Sequence, residues 1–158
     1  MKKHIIVLSA ALMLLGCATS AEKLAQQQKT ANAVIEAMSG RHYKIDVESA
    51  YPSRGKMLSL SWGFSLEIKG DTIISNLPYY GRAYSIPYGG GKGLNFTSTI
   101  QSYTSSEVKM GKSRVVIKTR NEEDSYQYTL EVFPNGEATI DVISRERETI
   151  SFRGRLRI

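Results

Sequence analysis

The segment Pro78 to Phe96 holds four of the chain's nine tyrosines and five of its thirteen glycines. Tyr79, Tyr80, Tyr84 and Tyr88 offer flat apolar faces with a polar tip, suited to a sugar, an aromatic ligand or a protein partner. Arg82 and Lys92 add cations that can hold an anionic group. A connection this long in a compact domain is either functional or folded back on itself. The competing reading is therefore a structural loop laid over one end of a β domain, its tyrosines tucked into the core. Gly89-Gly90-Gly91-Lys92-Gly93 is not a P-loop, because Ile86 stands at the first glycine position and Gly93 follows the lysine where Ser or Thr is needed. A nest of backbone N–H groups for some other anion stays open there.

Catalytic side chains are few, and the sequence assigns no catalytic residue, metal or cofactor. Of the two histidines, only His42 lies beyond the first few residues, which excludes a multi-histidine metal site. A Ser-His-Asp triad would have to use it, yet no Gly-x-Ser-x-Gly elbow accompanies it, so a surface or core histidine is the expectation. Glu122, Glu123 and Asp124 lack the spaced oxygen ligands of a calcium loop and read as a solvated hairpin tip. Asp46, Glu67, Glu131 and Asp141 are carboxylates of the kind glycoside hydrolysis requires, but nothing singles out a pair.

The elements that must position these residues follow from periodicity. From Ala21 to Ser39, Leu24, Ala31, Val34, Ile35 and Met38 recur near helical spacing, and Gly40 fits a left-handed C-terminal cap. After Gly40 the period switches to two. Leu58, Leu60, Trp62, Phe64, Leu66 and Ile68 alternate with Ser59, Ser61, Gly63, Ser65 and Glu67, predicting one long strand with a buried face, with Gly63 marking a bend. Lys69-Gly70-Asp71, Gly111-Lys112 and Pro134-Asn135-Gly136 are hairpin turns. The flanking strands are 72–77, 103–110, 113–120, 125–133 and 137–143. Ile150, Phe152, Leu156 and Ile158 share one face of a last strand, with Arg153, Arg155 and Arg157 on the other as a solvent-facing row, edge protection or an anion stripe. With 41–49 and 94–96, about eight strands joined mostly by short turns predict a mainly β fold. It is an antiparallel meander closing into a barrel or sandwich, with one N-terminal helix.

Lys2-Lys3-His4, the short apolar run Ile5 to Leu15 and Gly16-Cys17 have the layout of an export signal, and the run is too short to span a membrane. Leu14-Leu15-Gly16-Cys17 resembles a bacterial lipobox, which implies cleavage before Cys17 and acylation of that residue. The expected organisation is a signal peptide over 1–16, a lipidated Cys17 with a short tether over 17–20, and a single domain over 21–158. The membrane is then a partner through the anchor. Cys17 is the only cysteine, so the remaining chain has no disulfide and stands on its core. The 21 basic residues include Lys2 and Lys3, so the mature chain carries 19 against 15 acidic ones, a mild +4 that argues against a nucleic-acid partner.

Leu77-Pro78-Tyr79-Tyr80-Gly81-Arg82-Ala83-Tyr84, running into Tyr88-Gly89-Gly90-Gly91-Lys92-Gly93-Leu94-Asn95-Phe96, resembles domain-of-unknown-function family 4251, found in lipoproteins of Bacteroides and relatives. Glu131-Val132-Phe133-Pro134-Asn135-Gly136 and Ile150-Ser151-Phe152-Arg153-Gly154 extend the likeness over nearly the whole mature chain. The resemblance implies a lipocalin-like barrel and supplies no activity or catalytic residues. Asp71-Thr72-Ile73 is similar to the acceptor of Bacteroides protein O-glycosylation, which makes Thr72 a candidate. Residues 18–22 lack the acidic run that resembles a surface-export signal, so the expected location is the outer membrane, facing the periplasm. The leading functional expectation is a non-enzymatic binding module for a small amphipathic or sugar-like ligand, held at the barrel mouth or by the Tyr/Gly loop. The alternatives are an accessory protein docking on an outer-membrane complex and, last, a hydrolase. An internal cavity would favour the first, and a filled barrel with an exposed aromatic patch the second.

Overall fold

A computed structural model describes residues 2–84, 92–108 and 111–158, with side chains from residue 20 onward. One helix, α1 (Lys2–Gly40), precedes nine strands: β1 (His42–Pro52), β2 (Leu58–Ser59), β3 (Ser65–Lys69), β4 (Thr72–Leu77), β5 (Leu94–Val108), β6 (Lys112–Arg120), β7 (Ser125–Val132), β8 (Glu137–Ser144) and β9 (Ile150–Leu156). Every pairing is antiparallel. The order β1-β3-β4-β5-β6-β7-β8-β9 closes where β9 returns to β1, giving an eight-stranded barrel, and the short β2 adds to β1 beside β3.

Alternation fills this barrel with side chains. Ile45, Leu66, Ile68, Ile73, Leu94, Ile117, Tyr128, Leu130, Ile140, Ile150 and Phe152 are fully buried, which leaves no water-sized void beside them. Each contributes roughly 1.5–3 kcal/mol by its burial. Closure depends on Gly154: a Cβ there would meet the carbonyl oxygen of Asp46 at 2.0 Å, so β1 and β9 approach as closely as they do only because the residue is glycine. The expected glycine turns hold. Gly70, Gly111 and Gly136 take φ of 59°, 69° and 83°, a left-handed conformation that is strained for other residues.

Three expectations change. The left-handed residue after the helix is Arg41 (φ 51°), not Gly40. Its guanidinium lies 4.4 Å from the centre of the Tyr103 ring and 3.3 Å from Asp71 Oδ1, contacts a glycine could not supply. The stretch 94–96 and residues 103–108 of the stretch expected over 103–110 belong to one strand, β5, whose irregularity between Ile100 and Ser102 breaks the sequence pattern; residues 109 and 110 lie outside the described residues. And the strand expected over 57–68 is interrupted, as described below.

Both ends of the barrel are covered. At one, Val34 and Met38 of α1 are buried in the core, while Leu24 and Ile35 stay exposed. The last turn of the helix is capped there: the Tyr103 hydroxyl donates to Met38 O (3.3 Å) and the His42 Nδ1–H to Gly40 O (2.8 Å). At the other end the described parts of the β4–β5 connection, residues 78–84 and 92–93, lie against the β6–β7 and β8–β9 turns. The last strand is no edge, since β9 is paired on both sides, so its arginines have no edge to protect.

Candidate functional site

The tyrosine segment is tied down rather than open. Ala83 bridges Arg147, with Tyr84 N–H donating to Glu146 O (2.7 Å) and Glu148 N–H to Arg82 O (3.0 Å). Tyr79 is half-buried, its hydroxyl 2.7 Å from Arg82 O and 3.1 Å from Glu148 O. Burial, then the Glu148 charge, pushes that hydroxyl above its ordinary pKa. Tyr80 and Tyr84 are exposed (40 % and 70 %), as is Arg82. The Lys92 side chain is exposed, while its backbone N–H donates to Glu123 Oε1 (3.2 Å). Tyr88 and Gly89 to Gly91 lie outside the described residues.

Beneath this segment sits a polar network that the sequence misrepresents as a solvated tip. The Asp124 side chain is fully buried, and its carboxylate accepts the backbone N–H groups of Ser125 (2.7 Å), Arg145 (3.1 Å) and Glu146 (3.1 Å). Arg147, with 4 % of its side chain exposed, donates to Glu123 (3.2 Å) and Tyr126 (3.0 Å) and lies 3.9 Å from Asp124. Burial works against its charge, but the bonds to Glu123 and Tyr126 outweigh that and hold the guanidinium more firmly protonated than usual. Only a buried carboxylate with this many donors is stable.

The other expected residues are scattered. His42 serves as the helix cap. Thr72 begins β4, half-buried beside the Gly70-Asp71 turn. Cys17 falls within α1, and its side chain is outside those described. Asp46 binds Arg157 in a two-pronged pair (2.9 and 2.8 Å), Glu67 pairs with Lys69, Glu131 with Lys112, and Asp141 accepts from Ser151. No three acids, histidines or cysteines among the described residues form a group that could hold a metal ion. The arginine row is likewise engaged: Arg155 faces Glu137 (3.6 Å), and Arg153 lies over the Tyr51 ring (4.9 Å).

What the sequence hid is the interruption between β2 and β3. Ser59 pairs with Ser49, and Ser65 with Asp46. Between them, Leu60 N–H donates to Glu48 O and Val47 N–H to Phe64 O, both at 2.9 Å. Ser61, Trp62 and Gly63 are therefore looped out of the ladder. Gly63 takes φ 107°, and its carbonyl accepts from Asn76 Nδ2 (2.7 Å), which pins the loop at its base. Trp62, the chain's single tryptophan, is completely exposed at 101 % of its reference area. Beside it runs a groove of about 570 Å³ on the outer wall of the barrel. Lys44, Asp46 and Glu48 of β1 form its floor, Leu60 to Ser65 one side, and Arg155 to Ile158 the other. Looped-out residues in a strand commonly re-aim a side chain toward a site. An indole on such a loop, above a floor of mixed charge, can stack on an apolar ring face while carboxylates and guanidiniums bond its polar edge. Gly63 is the one sequence signal for this, and its position in the alternation points only to a bend.

Fold and groove together define a class: a small antiparallel barrel with buried apolar side chains inside and a groove on its wall. The family's sequence model, "Domain of unknown function (DUF4251)", matches residues 25–156, and the chain belongs to that family. It is similar to the crystal structure of a DUF4251 family protein from Bacteroides eggerthii DSM 20697, with a TM-score of 0.63 at 14 % identity, covering 84 % of this chain and 89 % of that one. At this identity the likeness concerns the fold alone. No curated protein matches the sequence.

Proposed function

We propose that this protein is a non-enzymatic binding domain of the cell envelope. In this reading it is lipid-anchored at Cys17 on the periplasmic face of the outer membrane and recognises a sugar-like ligand on its outer wall, at the Trp62 groove. The carrying observation is that the only tryptophan sits fully in water on a pinned three-residue loop. An exposed indole alone is ordinary; what supports the reading is that this one stands on a loop pinned at its base, beside a groove of mixed charge, with its ring faces free for stacking. The filled interior argues against a ligand inside the barrel. Gln26, Gln27 and Thr30 line a hollow with Pro134 and Asn135, so a helical arm of about 14 Å joins Cys17 to the first residues beside the barrel.

Tyr80, Arg82 and Tyr84 favour a second reading, docking to an envelope protein, because the Ala83–Arg147 bridge holds them on a fixed rim. Fluorescence separates the two. Titrating the full-length protein with saccharide fractions of the envelope is expected to shift Trp62 emission to the blue and shield it from acrylamide. Unchanged emission with every fraction, together with a protein crosslink at Tyr84, would replace the first reading by the second. Labelling cells with radioactive palmitate is expected to mark the wild type and not Cys17→Ser; equal labelling removes the anchor.

A further inference from the structure

The Trp62 groove does not stop at β9. Glu48 and Arg155 also line a second hollow of about 420 Å³, which continues over β9 and β8 to Phe133 at the turn after β7. The ladder register sets the floor between them. Glu137 of β8 lies opposite Arg155 of β9, which lies opposite Asp46 of β1, and Asp46 lies opposite Ser65 at the foot of the tryptophan loop. Three strand spacings separate β8 from β3, about 14 Å, which is more than one sugar ring requires.

We infer, resting on the wall-binding reading above, that the ligand is a neutral oligosaccharide lying across four strands, with one ring stacked on Trp62 and another at Phe133. Charge supports neutrality. Arg157 is paired with Asp46 and Arg155 with Glu137, and the other charges lining the two hollows are Lys44, Arg153 and Glu48, so four cations face three carboxylates and the nearly balanced floor offers donors and acceptors for hydroxyl groups. A lipid chain would have to desolvate these ion pairs. An extended peptide adding to the sheet needs a free strand edge, and β1 and β9 are both hydrogen-bonded on each side here, so only their side-chain face is available. A chain of rings with apolar faces and hydroxyl edges matches two aromatic ends joined by a polar floor.

The test applies the full-length protein in detergent to an array of neutral and acidic saccharides, from monosaccharides to hexasaccharides. Acrylamide quenching of Trp62 with the retained saccharides follows. Neutral oligosaccharides are expected to bind more tightly as they lengthen. Trp62→Ala should weaken every one of them about tenfold, and Phe133→Ala should weaken only the longer ones by a similar factor, about 1.4 kcal/mol each. Thermal melts confirm that both variants are folded. Affinity independent of length, or unaltered by Phe133→Ala, overturns the extended site, and binding restricted to acidic saccharides overturns neutrality. If monosaccharides alone bind and shield Trp62, the extended site falls and the wall-binding reading stands; if no saccharide binds while an envelope protein fraction shields Trp62, the sugar-like ligand falls with the oligosaccharide. If nothing shields Trp62, both fall.

Discussion

Two segments interrupt the meander, and they behave in opposite ways. The β4–β5 connection is rich in tyrosine and glycine, yet it is bound to the barrel by a bridge, by Tyr79 and by the Arg147 network beneath it. The β2–β3 interruption reads in sequence as a plain buried strand, yet it lifts a tryptophan out of the ladder into water. Aromatic content alone therefore does not tell a tethered segment from a free loop tip. What decides is where the backbone hydrogen bonds go: in the first segment they tie the chain to the β8–β9 turn, turning Tyr79 inward and leaving Tyr80 and Tyr84 on a fixed rim, and in the second they close below the loop and leave its tip free.

The largest expected effect comes from breaking the inward-drawn segment. Arg147→Met leaves Glu123 and the fully buried Asp124 without their cation. Removing one partner of a buried pair costs about 3–5 kcal/mol, so the urea midpoint should fall sharply, and Tyr80 and Tyr84 should become more accessible to nitration. A variant as stable as the wild type would show that the network does not hold that end of the barrel.

An intermediate effect follows from the tyrosines that face inward. Burial raises the hydroxyl pKa of Tyr128 and of Tyr43 well above the ordinary value of 10. The folded state thus holds these protons more tightly than the unfolded chain does. Their contribution to stability is complete below about pH 10 and declines as the pH rises beyond it, because the unfolded chain ionises first. Urea unfolding at a series of alkaline pH values should show this decline, flattened in Tyr43→Phe combined with Tyr128→Phe. Tyrosinate absorbance of these two residues should appear only with unfolding.

Much of the fold is legible in the sequence because alternation and turn chemistry are local. The hairpins at Gly70-Asp71, Gly111 and Pro134 to Gly136, the core faces of β6 to β9 and the single helix all follow from neighbours in the chain. Barrel closure at Gly154 and the buried carboxylate of Asp124 depend on residues distant in sequence, which no local pattern contains. Trp62 misled for a different reason. Leu60 and Phe64 both turn partly toward the core, four residues apart, so the looped-out residues preserve the phase of a continuous strand. A period of two cannot distinguish a side chain facing the core from one at the tip of a loop whose flanks stay in phase.

The smallest expected effect on stability is therefore the one that separates these cases most sharply. Were Trp62 part of a buried strand face, Trp62→Ala would cost about 3–5 kcal/mol through the lost burial and the cavity left behind. On a loop whose base is fixed by the backbone bonds of Leu60, Phe64 and Gly63, the same change removes a side chain that touches little besides water. Substitutions at such positions stay within about 0.5 kcal/mol, so the urea midpoint should be unchanged while saccharide binding weakens about tenfold. The wild type gives an independent reading, since all its tryptophan fluorescence comes from this residue. Its emission should already lie where a hydrated indole emits, and unfolding in urea should barely move it. A blue-shifted native spectrum, or a large loss of stability in Trp62→Ala, would return the tryptophan to the core and remove the groove's aromatic lip with it.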